Sequence, residues 1–243
     1  MTRPYITCHM VTSLDGKVTG DFLFRPECEV ATEIYYEMHR TYRAQGCDGF
    51  ICGRVTMEQS FTGGLYPDLS VYQPIGLDPF WPADERLSGY FAVAFDPKGR
   101  LGWRSELIGD SDPGYDQARV VEVLTEQVDG RYLAYLRDMN IPYLIAGKDE
   151  IDVELALRLF HDRLGVHHLV LEGGSVINGY FLRAACVDEI SLVQAPTVAG
   201  FESKPLFMEG IIQDFELLDT QNQDGVAVMR YRAKKRCQTE EDI

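Results

Sequence analysis

The feature that most constrains the fold of this chain is the alternation of strand-like and helix-like segments through its second half. Apolar side chains at helical spacing occupy three segments, residues 130–139, 153–164 and 176–184. Short apolar segments typical of buried strands alternate with them, at residues 142–145, 168–171 and 189–194. Strands that alternate with helices usually pair in parallel, because each helix carries the chain back across the sheet. The pattern therefore predicts an α/β fold.

The first half of the sequence adds further strands to this pattern. Four apolar segments predict buried strands, at residues 5–11, 48–52, 90–95 and 119–125. Helical spacing predicts one helix over residues 29–44 and a shorter one near 55–60. A C-terminal hairpin is predicted from the segments 215–220 and 226–234, which flank Asn222-Gln223-Asp224-Gly225. No repeat or linker divides the chain, so we predict a single domain over residues 1–243.

Composition and charge argue against several classes of protein. The formal net charge is −15, whereas nucleic-acid binding needs clustered Lys and Arg, so no nucleic-acid partner is expected. None of the six cysteines forms a C-x-x-C pair, so we predict neither a metal site nor a disulfide framework, and a reducing compartment is favoured. No apolar segment reaches the roughly 18 residues of a membrane helix. With no apparent signal peptide, we expect a cytoplasmic protein without a membrane partner.

Residues 169–181, LVLEGGSVINGYF, carry the strongest local signal for function. A predicted strand ends at Glu172, Gly173 and Gly174 follow, and a helix begins near Ser175. Backbone N–H groups at such a helix N-terminus can bind a phosphate, and glycines let the phosphate approach the backbone. The alternative is a tight turn with Ser175 as the N-cap of the helix. The segment lacks the G-x-G-x-x-G pattern of a standard dinucleotide-binding domain.

A second junction of the same kind follows the predicted strand at residues 48–52. Gly53 precedes a helix start, Arg54 adds a cation and Thr56 adds a hydroxyl, and these groups suit a pyrophosphate. The alternative is an ordinary surface arginine and a capping threonine. Two such junctions in an acidic chain favour the local binding of a nucleotide by backbone amides and a few cations.

Three segments, in a common order, carry patterns that resemble one known family. They are MVTSLDGKV at residues 10–18, GCDGFICGRVTME at 46–58 and LVLEGGSVINGYFLRAACVDEISLVQAPTVAG at 169–200. Their L-D-G-K, G-R-x-T, E-G-G and A-P-x-x-x-G patterns are similar to those of the C-terminal reductase domain of the bifunctional riboflavin-biosynthesis deaminase/reductase. This family is part of the dihydrofolate-reductase-like superfamily. The resemblance implies a mixed, mostly parallel sheet of eight or nine strands flanked by helices, and a homodimer.

The resemblance also implies where a cofactor binds. NADPH would lie across the carboxyl ends of the strands, as ligands do in open α/β sheets. The predicted cofactor-binding residues are Thr12, Gly53, Arg54, Thr56, Gly173, Gly174, Ser175, Val176, Ile177 and Asn178. Lys98 and Arg100, after the strand at residues 90–95, match the place of the adenosine 2′-phosphate and predict a preference for NADPH over NADH.

On the substrate side, three residues are predicted to be catalytic. Asp15 and Lys17 match the family's L-D-G-K loop, and Glu172 matches a family substrate contact. Lys17 or a carboxylic acid would supply the proton that accompanies hydride transfer. The alternative for Asp15 is a turn residue. The predicted substrate-binding residues are Arg43, Phe61, Tyr66 and Glu172.

The sequence departs from the family pattern after Thr56. Residues 58–67, EQSFTGGLYP, replace the family's D-D-P-x-L-T-x-R segment, whose arginine serves the substrate phosphate. Between Gln59 and Glu85 there is no Lys, Arg or His, whereas aromatic side chains occur at Phe61, Tyr66, Tyr72, Phe80 and Trp81. We therefore predict that the substrate is not a phosphorylated ribose and that the loop over residues 61–81 determines specificity. The alternative is that these aromatic side chains only pack the loop onto the body of the protein.

The predicted function is that of an oxidoreductase. The leading hypothesis is an NADPH-dependent reductase that transfers a hydride to a small heterocyclic or carbonyl/imine substrate. One alternative is the 5-amino-6-(5-phosphoribosylamino)uracil reductase of riboflavin biosynthesis. The other, from a different class, is a catalytically silent nucleotide-binding or assembly module. No H-x-E or P-C-x-x-C zinc signature of a deaminase is present.

Overall fold

The computed structural model describes residues 2–82 and 89–234. The helices of this part of the chain are α1 (Glu29–Ala44), α2 (Arg54–Met57), α3 (Gly130–Asp138), α4 (Val153–Leu164) and α5 (Ser175–Arg183). The strands are β1 (Tyr5–Thr12), β2 (Gly49–Gly53), β3 (Phe91–Phe95), β4 (Arg119–Leu124), β5 (Tyr143–Ile145), β6 (His168–Leu171), β7 (Glu189–Gln194), β8 (Phe215–Gln223) and β9 (Val226–Ala233). A π-helical turn at Glu58–Thr62 continues α2, and short 3₁₀ helices lie at Asp21–Phe24, Pro26–Cys28 and Leu69–Val71.

These nine strands form one sheet in the order β5-β4-β3-β2-β6-β1-β7-β9-β8. The strands from β5 to β7 pair in parallel, and β9 runs antiparallel to both β7 and β8. The two-residue turn between β8 and β9 consists of Asp224 and Gly225, whose φ angles of 50° and 87° suit a hairpin turn of this length. The predicted α/β class, with a mostly parallel sheet and a C-terminal antiparallel hairpin, is confirmed.

The core lies on both faces of the sheet, because side chains alternate between the faces along each strand. On one face Ile51, Val93 and Leu171 pack with α4 and α5. On the other face Phe50 and Ala92 pack with α3 and with Tyr115. The central strands are therefore buried on both sides, which is typical of a parallel sheet covered by helices.

The predicted elements agree closely with the observed ones. The bounds of α1, α4, β6 and β7 coincide with the predictions, and most other ends differ by one or two residues. The predicted helix near residues 55–60 is the short α2 followed by the π-helical turn. Residues 83–88, which follow the loop over residues 61–81, lie outside the described part of the chain. Within the described residues, no helix is long and apolar enough to cross a membrane.

Candidate active site

The two glycine junctions of the sequence meet at one edge of the sheet. Strands β2 and β6 are parallel neighbours, so their carboxyl ends lie side by side. The Glu172 N–H donates to the Ile51 carbonyl oxygen at 2.9 Å, and the Gly53 N–H donates to the Gly173 carbonyl oxygen at 2.7 Å. Ligands bind at this edge in open α/β sheets. The fold thus builds one site from segments about 120 residues apart in the sequence.

A groove of about 280 Å³, here called the glycine groove, runs between these junctions. Seven of the predicted cofactor-binding residues line it: Gly53, Arg54, Thr56, Gly174, Ser175, Val176 and Ile177. It is also lined by residues that were not predicted, among them Thr19, Gln59, Tyr180 and Lys204. The groove therefore collects most of the predicted cofactor site in one place.

The start of α5 makes the glycine groove suitable for an anion. No side chain caps this nine-residue helix, whose N-cap is Gly174, so its first N–H groups are left for a ligand. A Cβ added at Gly174 would meet only the Thr56 Oγ1, at an ordinary contact distance of 3.5 Å. The absent side chain thus leaves open space beside the helix N-terminus.

Three of the other predicted cofactor residues do not line the groove. Thr12 is buried at the end of β1. Gly173 has a φ of 89°, and a Cβ there would come within 3.0 Å of Met10 Cε. The buried Asn178 donates to the Leu206 carbonyl oxygen at 3.1 Å, and its own Oδ1 has no partner in the described structure.

The cations of the site are arranged differently from the prediction. Lys98 and Arg100 are exposed on the turn after β3 and do not line the groove, although Pro97 beside them does. Lys204 lines the groove instead. Arg54 also lines it and forms an ion pair with Glu58, one helical turn further on.

A second cavity of about 430 Å³, here called the acidic cavity, adjoins the glycine groove, since Thr56 lines both. Its wall is formed by Tyr35, Tyr36, Cys52, Thr56, Ser60, Phe61, Asp110, Ser111, Asp112, Tyr115 and Glu172. Two predicted substrate-binding residues, Glu172 and Phe61, are among them. A molecule in the acidic cavity would therefore lie next to one in the groove.

Glu172 is the central polar group of the acidic cavity, and two side chains hold it. His39 Nδ1 lies 2.6 Å from one carboxylate oxygen of Glu172, and the Tyr115 hydroxyl donates to the other at 3.0 Å. His39 Nε2 faces the Gly114 carbonyl oxygen at 3.1 Å. Because a carbonyl can only accept, we assign a hydrogen to Nε2, and a second proton is then shared between Nδ1 and Glu172.

The charge state of this pair follows from two opposing effects on His39. Burial is the largest single effect and lowers the pKa of His39, but the Glu172 carboxylate and its hydrogen bond, the Gly114 carbonyl and Asp112 together raise it by more, so that the net pKa is raised. His39 therefore retains its second ring proton to a higher pH than an ordinary histidine would.

The predicted catalytic residues Asp15 and Lys17 line neither cavity. Asp15 accepts hydrogen bonds from the Ser13 hydroxyl at 2.6 Å and from the N–H groups of Ala199 and Gly200 at 2.9 and 3.1 Å. These bonds, led by that from Ser13, lower the pKa of Asp15 to about 2, so it remains ionised. The structure thus favours a role for Asp15 as a turn residue. Lys17 lies in the same loop and forms an isolated antiparallel β-bridge with Pro205.

Arg43 lies near the end of α1 and does not line the acidic cavity, contrary to the prediction that it binds substrate. Its guanidinium donates to three carbonyl oxygens of one loop, those of Pro113, Gly114 and Asp116, at 2.8–2.9 Å. It also lies 4.5 Å over the Tyr90 ring. Arg43 therefore holds the loop that carries Tyr115, because α1 and that loop are packed together.

Most aromatic residues of the loop over 61–81 lie away from the acidic cavity. Tyr66 is exposed and donates to Glu58 at 2.6 Å. Tyr72 donates to Asp138 at 2.9 Å, and Phe80 packs against the Tyr143 ring. Of the predicted aromatic residues, Phe61 is the one that lines the cavity, and the others in the loop fasten it to neighbouring elements.

The sequence reasoning missed several residues of this site. His39 lies four positions after Tyr35 and three before Tyr42, so it shares the apolar face of α1 with them. A histidine on this face could have been recognised from the sequence as a candidate site residue. Tyr115, Asp110 and Asp112 lie in a loop rich in Gly, Asp and Pro, where no local pattern distinguishes them. Nor did any motif mark Lys204.

Comparisons with known proteins show which family this chain resembles. The family described as the RibD C-terminal domain matches residues 114–229. The 2,5-diamino-6-ribosylamino-4(3H)-pyrimidinone 5′-phosphate reductase of Methanothermobacter thermautotrophicus is 30% identical over 211 residues, which cover 86% of this chain and 85% of that protein. The Aquifex aeolicus protein of the same name is 29% identical over 218 residues, which cover 86% of this chain and 84% of its own length.

A solved structure shows the same fold. RibD of Acinetobacter baumannii superposes with a TM-score of 0.65 at 18% identity, and the match covers 96% of this chain. This chain spans only 59% of that protein's length.

Reductase relatives that match most of the chain, together with an α/β fold whose sheet carries two adjoining cavities at its carboxyl edge, define this protein as an oxidoreductase. Within that class, the chain belongs to the RibD C-terminal domain family of reductases. Membership of this family supports the predicted nicotinamide cofactor and a small-molecule substrate.

Proposed function

We propose that this protein is an NADPH-dependent reductase that transfers a hydride to a small heterocyclic or carbonyl/imine substrate. The cofactor binds in the glycine groove, and the substrate binds in the acidic cavity. The observation that carries the proposal is that the two spaces adjoin at Thr56. Hydride transfer requires the two reactants in contact, and this arrangement provides that contact.

The residues of the glycine groove fit a dinucleotide. The uncapped N-terminus of α5 offers N–H groups to a pyrophosphate, and Gly174 leaves room for it. Arg54 and Thr56, at the start of α2, face the same space. Lys204 in the groove wall, with Lys98 and Arg100 on the nearby turn, supplies the cations that an adenosine 2′-phosphate needs.

The bound cofactor would supply a hydride, which is one proton with two electrons. A second proton must then reach the heteroatom of the substrate, so that a C=N or C=O group becomes CH–NH or CH–OH. The Glu172–His39 pair holds a proton at the wall of the acidic cavity, and we propose that Glu172 delivers it. Tyr115 and His39 orient the carboxylate for this step.

The relatives' names make riboflavin biosynthesis the second candidate. Both are named as reductases of a ribosylaminopyrimidinone 5′-phosphate. Family membership favours an aminopyrimidine ring in the substrate here as well, and authentic pathway reduction stays open as an alternative.

We also propose, as predicted from sequence, that residues 1–243 form one cytoplasmic domain.

The cofactor proposal is tested by titrating NADPH and NADH into the protein in a calorimeter. A charge-assisted phosphate contact contributes about 1.5–3 kcal/mol, so we expect NADPH to bind at least about tenfold more tightly. Lys204→Ala, and Lys98→Ala with Arg100→Ala, should each reduce that preference, whereas Lys148→Ala, which does not line the groove, should leave it unchanged. Equal affinity for the two cofactors in the native protein would remove the argument.

A turnover screen separates an enzyme from a silent nucleotide-binding module. Absorbance of NADPH is followed while aminopyrimidines, imines and carbonyl compounds are offered. A silent module would bind NADPH with defined stoichiometry and oxidise none of it.

A further inference from the structure

We propose that Asp15 is a positioning residue for the cofactor, because its carboxylate fixes the segment that carries Lys204 into the glycine groove. That segment, residues 197–206, is here called the strap. The inference rests on the proposed function, since it takes the glycine groove as the place where NADPH binds. Asp15 then acts through Lys204, and not on the reacting atoms as the sequence predicted.

The Asp15 carboxylate connects two loops that lie 184 residues apart in the sequence. One of its oxygens accepts from the Ala199 N–H at 2.9 Å, and the other accepts from the Gly200 N–H at 3.1 Å. The Ser13 hydroxyl donates to the same carboxylate at 2.6 Å. Because Ser13 is fully buried, it orients the carboxylate from the body of the protein.

The outer part of the strap has few other contacts with the body. Val198 is 66% exposed and Phe201 is fully exposed, so neither side chain packs the strap down. The start of the strap is held by the Leu14 N–H, which donates to the Thr197 carbonyl oxygen at 2.7 Å. Asp15 therefore supplies two hydrogen bonds to the part of the strap that is otherwise most open to solvent.

The far end of the strap brings Lys204 to the glycine groove. The Lys204 N–H donates to Thr19 Oγ1 at 2.8 Å, and the Lys204 carbonyl oxygen accepts from the Val18 N–H at 2.9 Å. Asn178 of α5 donates to the Leu206 carbonyl oxygen at 3.1 Å. The strap thus joins α5 to the loop that contains Asp15, and the Lys204 side chain lines the groove between them.

Asp15 and Lys204 act on the same short piece of backbone. Three residues lie between Gly200, which Asp15 binds, and Lys204. A lysine on a fixed backbone loses less conformational freedom when it binds a phosphate, and this strengthens binding. Without Asp15, the strap would adopt more conformations, so the cofactor would bind more weakly.

The effect of charge alone has the opposite sign. Asp15 is ionised, and a negative charge repels the phosphates of a cofactor bound in the neighbouring groove. If charge were its only influence, removal of Asp15 would strengthen the binding of NADPH. Positioning predicts weaker binding, so the direction of the change distinguishes the two effects.

The experiment measures the affinity of the full chain for NADPH by calorimetry. We expect Asp15→Ala to weaken binding at least about fivefold in the native background, and less than about twofold when Lys204 is already alanine, because both residues act through one contact. Asp21→Ala removes the same charge from an exposed aspartate and should leave the affinity unchanged. Unchanged or tighter binding in Asp15→Ala, or an equal loss in both backgrounds, overturns the inference.

A measurement without cofactor separates this inference from the proposed function. Hydrogen exchange of the Lys204 amide, followed by NMR, should be faster in Asp15→Ala than in the native protein and unchanged in Asp21→Ala. Asp15→Asn keeps one acceptor oxygen and serves in both measurements if Asp15→Ala does not fold. Native protection of this amide in the Asp15 variants contradicts the inference. A native chain that binds neither NADPH nor NADH contradicts the proposed function instead, and the exchange rates still decide whether Asp15 fixes Lys204.

Discussion

His39 connects three parts of the molecule through one imidazole ring. It stands on α1, binds Glu172 after β6 with Nδ1 and binds the loop carbonyl of Gly114 with Nε2. Its ring also stacks on Tyr115 with centroids 4.0 Å apart. Because each contact restricts Glu172 or Tyr115, His39 is a positioning residue for the proton at the cavity wall.

The raised pKa of His39 makes the stability of the fold depend on pH. The folded state binds this proton more tightly than the unfolded chain, whose histidine pKa is about 6.5. The stabilisation is therefore complete below about pH 6.5 and is lost as the pH rises through the higher, folded pKa. We expect the free energy of unfolding to fall over that range when measured by urea denaturation.

Substitution of His39 should remove this dependence. His39→Gln keeps hydrogen-bonding capacity but not the proton, so we expect a loss of roughly 1–3 kcal/mol at pH 6 and a flatter profile towards alkaline pH. His167→Gln changes an exposed histidine and serves as the matched control. A profile in His39→Gln as steep as that of the native protein would exclude His39 as its origin.

At the scale of elements, the junctions between strands and helices carry the site. The parallel register of β2 and β6 brings α2 and α5 to the same edge; α2 begins directly after β2, and α5 begins after the short Glu172-Gly173-Gly174 junction that follows β6. Short junctions leave the helix N-termini at the surface of the sheet, where their N–H groups face a ligand. The glycine groove is therefore a consequence of strand order and junction length together.

Gly174→Val should abolish NADPH binding and leave the protein folded. The backbone at Gly174 has a φ of −74°, which any residue adopts, and an added Cβ meets no atom closer than 3.5 Å. The branched side chain would occupy the space beside the N-terminus of α5. Calorimetry measures binding, and circular dichroism measures folding. Gly109→Val, at a glycine with open space around it, is the control. Normal cofactor affinity in Gly174→Val would show that this junction is a structural turn and does not bind the cofactor.

At the scale of the whole molecule, the two edges of the sheet differ. At one end the edge strand β5 has three residues, and its first residue, Tyr143, forms an isolated antiparallel bridge with Phe80. At the other end β8 has nine residues and, in the described part of the chain, pairs only with β9. Long edge strands with free backbone groups readily pair with another chain.

We predict a homodimer that forms along β8. Light scattering at micromolar concentration should give twice the chain mass of 27.5 kDa. Leu217→Lys places a charge on this strand at a side chain that is 51% exposed, and it should shift the mass towards the monomer. Leu77→Lys, at a similarly exposed leucine in another part of the chain, should not. A monomeric mass for the native protein would contradict the prediction.

The sequence by itself determined the elements and their order. The bounds of α1, α4, β6 and β7 follow from periodicity and from turn residues, which act between neighbours in the chain. The glycine junctions were also visible, because glycines after a strand and before a helix are a local signal. These features depend on a few consecutive residues, so they can be predicted from the sequence alone.

Only the tertiary structure decided which side chains meet. His39 and Glu172 are 133 residues apart, and Lys204 enters the groove from a segment without any motif. Arg43, predicted to bind substrate, instead donates to the carbonyl oxygens of the loop over residues 113–116. Contacts of this kind depend on strand order and helix packing, which bring distant segments together. No local pattern in the sequence shows which segments will meet.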